Sequence, residues 1–305
     1  MMKEILDHYR QVSTYTYSGV YKEHFKKLPD DISELGRLIC SQVIHRVTLR
    51  QGNTGANKNM IYGDMERYPW YRLRCEDDVL LTASAMTAEL FRLDDKGFTL
   101  QRAVEDKLVV TCRYVSVLMS AILKSKGIPC RSRAGFAPYL FENKSGDHWI
   151  NQYWNAEEER WITFDADGFF NESGLNFNQY DIPKDGFDWA ADTWLNIRNG
   201  KVEGEGFVYA DAIGTNSLRA AIKEIFYDFH AIMNDEISYN FQPCYIDGKF
   251  DELTENDLKE VDKLAELMLE PDKNFNKLVS IWNSNRKYRI INSPLVGDRD
   301  NLHRL

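Results

Sequence analysis

Residues 109–167 read VVTCRYVSVLMSAILKSKGIPCRSRAGFAPYLFENKSGDHWINQYWNAEEERWITFDAD. From Cys112 the apolar residues Val115, Leu118, Met119, Ile122 and Leu123 recur at three- and four-residue steps, which predicts a helix. Thr111 is placed to cap its start and Gly127 to end it, and Pro129 prevents continuation. Residues 130–141 alternate as a strand does, and ENKSGD reads as a turn. His148 to Asn155 and Arg160 to Asp165 read as two further strands joined across AEEE.

The register of that hairpin follows from its loop. A two-residue turn or a four-residue loop both set Asn155 opposite Arg160 and Trp154 opposite Trp161. Continued outward, Ile150 faces Asp165 and His148 faces Asp167. Side chains alternate along a strand, so His148, Ile150, Asp165 and Asp167 share one face. Both aspartates then fall within cross-strand reach of the histidine.

These residue types in this order suit nucleophilic catalysis. A thiol in the first turn of a helix meets partial positive charge and free N–H groups, which favour the thiolate. An adjacent imidazole takes its proton and returns one to a leaving group. A carboxylate on the other ring nitrogen fixes the tautomer. The N–H of Cys112 is one oxyanion donor; a second is not visible in the sequence. A lone cysteine in an apolar helix is ordinarily core, so the joint pattern carries the argument. A zinc site from Cys112, His148 and Asp165 fits the helix-start placement less well than a nucleophile does.

The flanks read more simply. Asp30 or Asp31 caps an amphipathic helix over 32–47, with His45 near its end as a core-facing or C-terminal histidine. Residues 48–78 are polar and aperiodic, a long loop whose Tyr68, Trp70 and Tyr71 are candidates to line a pocket. Helices are expected at 79–93, 217–236 (capped by Ser217), 254–269 (a near capping box at Thr254) and about 274–284. Residues 166–216 read as a loop-rich cover.

The chain has 305 residues, 43% of them hydrophobic and 28% charged, which is enough to bury a large core. A net charge of −9 argues against a nucleic-acid surface or an anionic-membrane surface. There is no signal-peptide pattern and no run of transmembrane length. Five cysteines at scattered positions, Cys40, Cys75, Cys112, Cys130 and Cys244, give no disulfide framework, so a cytoplasmic setting is expected.

The segment resembles the core of the transglutaminase-like superfamily of papain-like cysteine enzymes. The residues that carry the resemblance are T-C-R with L-x-x-x-G-I-P-x-R after it, then D-H-W-I-N-Q-Y-W, then R-W-I-T-F-D. The wider pattern is similar to a bacterial group of transglutaminase-like proteins over roughly residues 30–290. Gln152 and Asp167 stand where that group often has Glu and Gln. The resemblance implies an α+β fold with the cysteine at a helix N-terminus packed on an antiparallel sheet. It implies one domain over 1–305, with a catalytic core at about 79–170, a helical N-terminal extension over 1–78 and a helical region at about 215–290. It also carries a Cys112–His148–Asp165 triad, and on the motif it favours Asp165 over Asp167.

The function expected is cysteine-dependent acyl transfer on a peptide or protein carboxamide through a thioester. The enzyme would be a protease or amidase, or a transglutaminase-like acyltransferase. The alternative is a non-catalytic binding or scaffold protein that retains the fold. No calcium-loop motif is present, and neither a metal nor another cofactor is expected.

Overall fold

The computed structural model describes residues 2–46, 69, 72, 76–167, 175–209, 215–239, 243 and 250–289. The longer elements in chain order are helix α1 (Met2–Arg10), helix α2 (Ile32–Cys40), strand β1 (Val43–His45), helix α3 (Ala83–Leu93) and strand β2 (Leu108–Val110). Helix α4 (Cys112–Ser125) follows, then strands β3 (Cys130–Phe141), β4 (Lys144–Asn155), β5 (Arg160–Phe164) and β6 (Asp188–Trp189). Helix α5 (Ala190–Arg198), strand β7 (Phe207–Val208) and helices α6 (Ser217–Ile232), α7 (Glu255–Met268) and α8 (Phe275–Ser284) complete the order. The fold is α+β. Tyr68, Trp70 and Tyr71 of the expected pocket loop lie outside the described residues.

The main sheet runs β5-β4-β3-β6, with β7 added parallel to β4. Its β3–β4 and β4–β5 pairs are antiparallel, and the second has Asn155 opposite Arg160 and Trp154 opposite Trp161. The hairpin register expected from the loop is the register found. The preceding turn is tighter than the sequence suggests. Strand β4 begins at Lys144, and Asn143, with φ 60°, takes the left-handed conformation that asparagine tolerates.

Helix α4 packs against β3 and β4, and α6 packs against β3. All fourteen residues of α4 are buried. The helix is therefore central rather than amphipathic at a surface. Its serines allow close approach to the sheet and are satisfied there. Ser116 Oγ donates to Ser132 Oγ at 2.8 Å, and Asn151 Nδ2 donates to the Ser116 carbonyl at 3.0 Å and to Ser120 Oγ at 2.9 Å. At its C-terminus, Gly127 has φ 82°, and the N–H groups of Gly127 and Ile128 donate to the carbonyls of Lys124 and Leu123. That is a Schellman ending, as the glycine predicts.

Two apolar clusters meet at α4. One joins Ile5, Tyr9, Trp149, Trp194, Phe226, Phe229 and Met268 around Cys112. The other joins Leu35, Ile39, Met86, Leu90, Leu118, Ile122 and Phe164. Among the described residues, no helix is long and apolar enough to cross a membrane.

Other boundaries also differ from the expectation. The helix expected over 32–47 ends at Cys40, and Val43–His45 instead forms a strand paired parallel with Leu108–Val110. A short buried apolar run satisfies both periods, and pairing with β2 decides between them. The helix expected over 79–93 starts at Ala83, because Thr82 caps it by accepting from the Ala85 N–H. Asn216, not Ser217, holds the cap position of α6, and Ser217 enters with φ 54°.

Candidate active site

Strand β2 delivers the chain through Thr111 into α4, so Cys112 sits in the first turn, where the backbone N–H groups have no intrahelical partner. Thr111 holds the cap position without a side-chain cap bond. Cys112 is 4% exposed. Strand β4 presents His148, opposite Gly135 of β3, and this residue too is buried.

Strand β5 ends at Phe164, and the Asp165 N–H turns away from the ladder to donate to the Gln179 carbonyl at 2.9 Å. This departure separates the two aspartates. Asp165 Oδ2 accepts from His148 Nε2 at 2.6 Å and from the Tyr139 hydroxyl at 2.9 Å, and its Oδ1 accepts from the Asp167 N–H at 2.8 Å. Asp167 does not lie opposite His148, as the extended register had it. Its Oδ2 lies 3.3 Å from His45 Nε2 on strand β1. With Nε2 held by Asp165, His148 is also coupled electrostatically to the Cys112 thiol.

Electrostatics follow from this arrangement. Burial disfavours the His148 imidazolium, but Asp165 and Cys112 outweigh it and raise the histidine well above 6.5. Burial pushes the Cys112 thiol up, and His148 opposes that rise. Burial likewise pushes the Cys130 thiol up, to about 11, against the opposing effects of Ser120 and Lys124. The Tyr239 hydroxyl lies 3.5 Å from Cys112 Sγ. Burial, then the charge of Cys112, raises its pKa well above 10, so it remains a donor.

His45 is the group the sequence did not mark. Read as the tail of a helix it had no reason to meet Cys112; as the last residue of β1 it does. A ring nitrogen of His45, Cys112 Sγ and an Asp167 oxygen lie within 4.8 Å of one another. Burial, then His148, then Arg46, lower the pKa of His45 to about 3, so its ring is neutral. Tyr139 and Tyr239 also escaped the sequence reading, because a lone tyrosine carries no period or spacing signal. Tyr139 follows Pro138, where the β3–β4 register shifts between Ala137 and Phe141, and simple alternation does not place it.

The segment bearing Tyr239 is tied to the helix that carries Cys112. Arg113 is fully buried and donates from Nε to the Ile237 carbonyl at 2.8 Å and from its guanidinium to the Glu236 carbonyl. Its guanidinium also lies 4.8 Å from the ring centres of Tyr15 and Tyr114. The residue after the cysteine thus fixes what lies over the cysteine.

No curated protein and no solved structure gives a significant match to this chain. Residues 93–166 match the family model of the transglutaminase-like superfamily. The matched stretch includes Cys112, His148 and Asp165 and stops before Asp167; His45 and Tyr239 lie outside it. The chain therefore carries a transglutaminase-like core.

Proposed function

We propose that the protein is a cysteine-dependent acyl-transfer enzyme whose nucleophile is Cys112. The observation that carries this reading is the buried His148, hydrogen-bonded to Asp165 at 2.6 Å and electrostatically coupled to the thiol at the start of α4.

The steps follow from that geometry. The Cys112 proton passes to His148, and Sγ attacks the carbonyl carbon of a carboxamide. The carbonyl π electrons move to oxygen, where the Cys112 N–H stabilises the oxyanion. Collapse breaks the C–N bond, and His148 gives its proton to the departing amine. The product is a thioester on Cys112. Water or a second amine, losing its proton to His148, then attacks the thioester and restores the thiol. Hydrolysis and transamidation differ only in that second nucleophile. Asp165 holds the imidazolium and its orientation throughout.

The 4% exposure of Cys112 favours a second reading, a binding protein that retains the fold. One experiment separates the two. Native protein is treated with iodoacetamide across pH, and each adduct is located by mass spectrometry. Acyl transfer requires Cys112 to alkylate faster at pH 6 than Cys40 and Cys130. Equal rates would sink the activated-thiolate claim. An activity that survives Cys112→Ala would overturn the assignment of the nucleophile.

A further inference from the structure

We infer that Cys112, His45 and Asp167 form a binding site for a single Zn²⁺ ion that blocks the nucleophile. The three side chains come from β1, the start of α4 and the segment after β5, and all are buried. Their donor set is one sulfur, one imidazole nitrogen and one carboxylate oxygen, which a borderline-soft divalent ion accepts.

Distances carry the inference. Tetrahedral zinc with bonds of about 2.0–2.3 Å requires donor atoms roughly 3.3–3.6 Å apart. His45 Nε2 and Asp167 Oδ2 are already 3.3 Å apart, and all three donors lie within 4.8 Å of one another. The remaining separation, at most 4.8 Å, is what a shift of the Cys112 sulfur toward the pair has to close. Three protein ligands leave a fourth position for water, as in an open zinc site.

Binding replaces the thiol proton with the metal and releases that proton to solvent. Sγ then spends its lone pair on zinc and cannot attack a carbonyl. The ion is a reversible inhibitor and not a cofactor. The metal site stands on these three residues alone; its effect on turnover rests on the acyl-transfer reading.

The test uses the full-length protein after chelator treatment, titrated with Co²⁺ as a spectroscopic stand-in for Zn²⁺. One equivalent of Co²⁺ is expected to produce a sulfur-to-cobalt charge-transfer band that Zn²⁺ abolishes by competition, and Cys112→Ser should remove the band. His45→Gln and Asp167→Asn should each weaken Co²⁺ binding by at least about tenfold. His148→Ala should keep the band, since that residue is not a ligand. Zn²⁺ should also slow iodoacetamide modification of Cys112 in the wild type but not in His45→Gln. The inference is overturned if no stoichiometric band forms. It is also overturned if both ligand variants bind Co²⁺ as the wild type does, or if His148→Ala loses the band while His45→Gln keeps it. With two ligand variants, misfolding of one leaves the other to decide. Slow alkylation of metal-free Cys112 at pH 6 would count against acyl transfer alone and leave the metal site standing.

Discussion

Two aspartates two residues apart meet different histidines because strand β5 ends at Phe164, before both of them, and neither continues its ladder. Asp165 accepts from His148, Tyr139 and the Asp167 N–H, which fixes it as a rigid anion against the imidazole. Asp165→Asn removes the charge that offsets burial, so the His148 pKa falls and the Cys112 pKa rises with it. The expected result is an alkylation profile displaced to higher pH, with the rate at pH 6 down by roughly a hundredfold or more. Asp167→Asn should leave that displacement absent. His45 gives the opposite sign of pH dependence. Its pKa is about 3 when folded against 6.5, so between those values the unfolded chain binds a proton that the folded protein does not. Stability is present above 6.5 and is lost as pH falls toward 3. Full loss amounts to at most about 4–5 kcal/mol at about 1.4 kcal/mol per unit, because Asp167 at 3.3 Å opposes the shift. The groups facing this ring are Asp167, Cys112, His148 and Arg46. His45→Gln should flatten the dependence of urea midpoint on pH between 7 and 4. An unchanged slope would show that other groups govern acid lability.

At the level of elements, charged side chains buried between helices and strands set how the pieces dock. Asp228 on α6 accepts two bonds from Arg133 of β3, at 2.7 and 2.8 Å, and a third from the Ala134 N–H at 3.1 Å. Asp228 is fully buried and Arg133 nearly so. Removing one partner leaves the other charge uncompensated, so Asp228→Ala should cost about 3–5 kcal/mol by urea unfolding. Replacing both partners with apolar residues should cost far less. Arg113→Ala is expected to loosen the segment bearing Tyr239 without altering the ladder of the main sheet. Hydrogen exchange would then rise at residues 236–239 and stay unchanged in β3 and β4. The elements themselves were largely legible in advance. Alternation in 130–141, the hairpin register and the glycine ending of α4 are local signals, and each was realised locally. The run over 32–47 reads as one helix because its apolar positions suit helix and strand alike, and the strand that decides lies at 108–110. For the same reason His45 could not be read as a neighbour of Cys112. The adjacency of Cys112, His148 and Asp165 was readable because one helix and one hairpin supply all three.

Across the whole molecule, the matched core at 93–166 does not bury itself. Trp149 packs in a cluster with Ile5, Tyr9, Trp194 and Phe226, and Leu118 and Ile122 pack with Leu35, Ile39 and Met86. A fragment limited to residues 93–166 would expose those faces to water. It is expected to lack a cooperative urea transition. A fragment that unfolds cooperatively with the native near-ultraviolet spectrum would refute this dependence. The dependence also gives the chain a temporal problem during its own synthesis. Tyr239, which lies over Cys112, is 127 residues downstream of it. At about 5–20 residues per second, the ribosome takes roughly 6–25 s to add that stretch. For that interval Cys112 has left the peptidyl-transferase centre before Tyr239 exists. Once outside the ribosome it is an exposed thiol, open to oxidants and to mixed-disulfide partners until its later neighbours have been made.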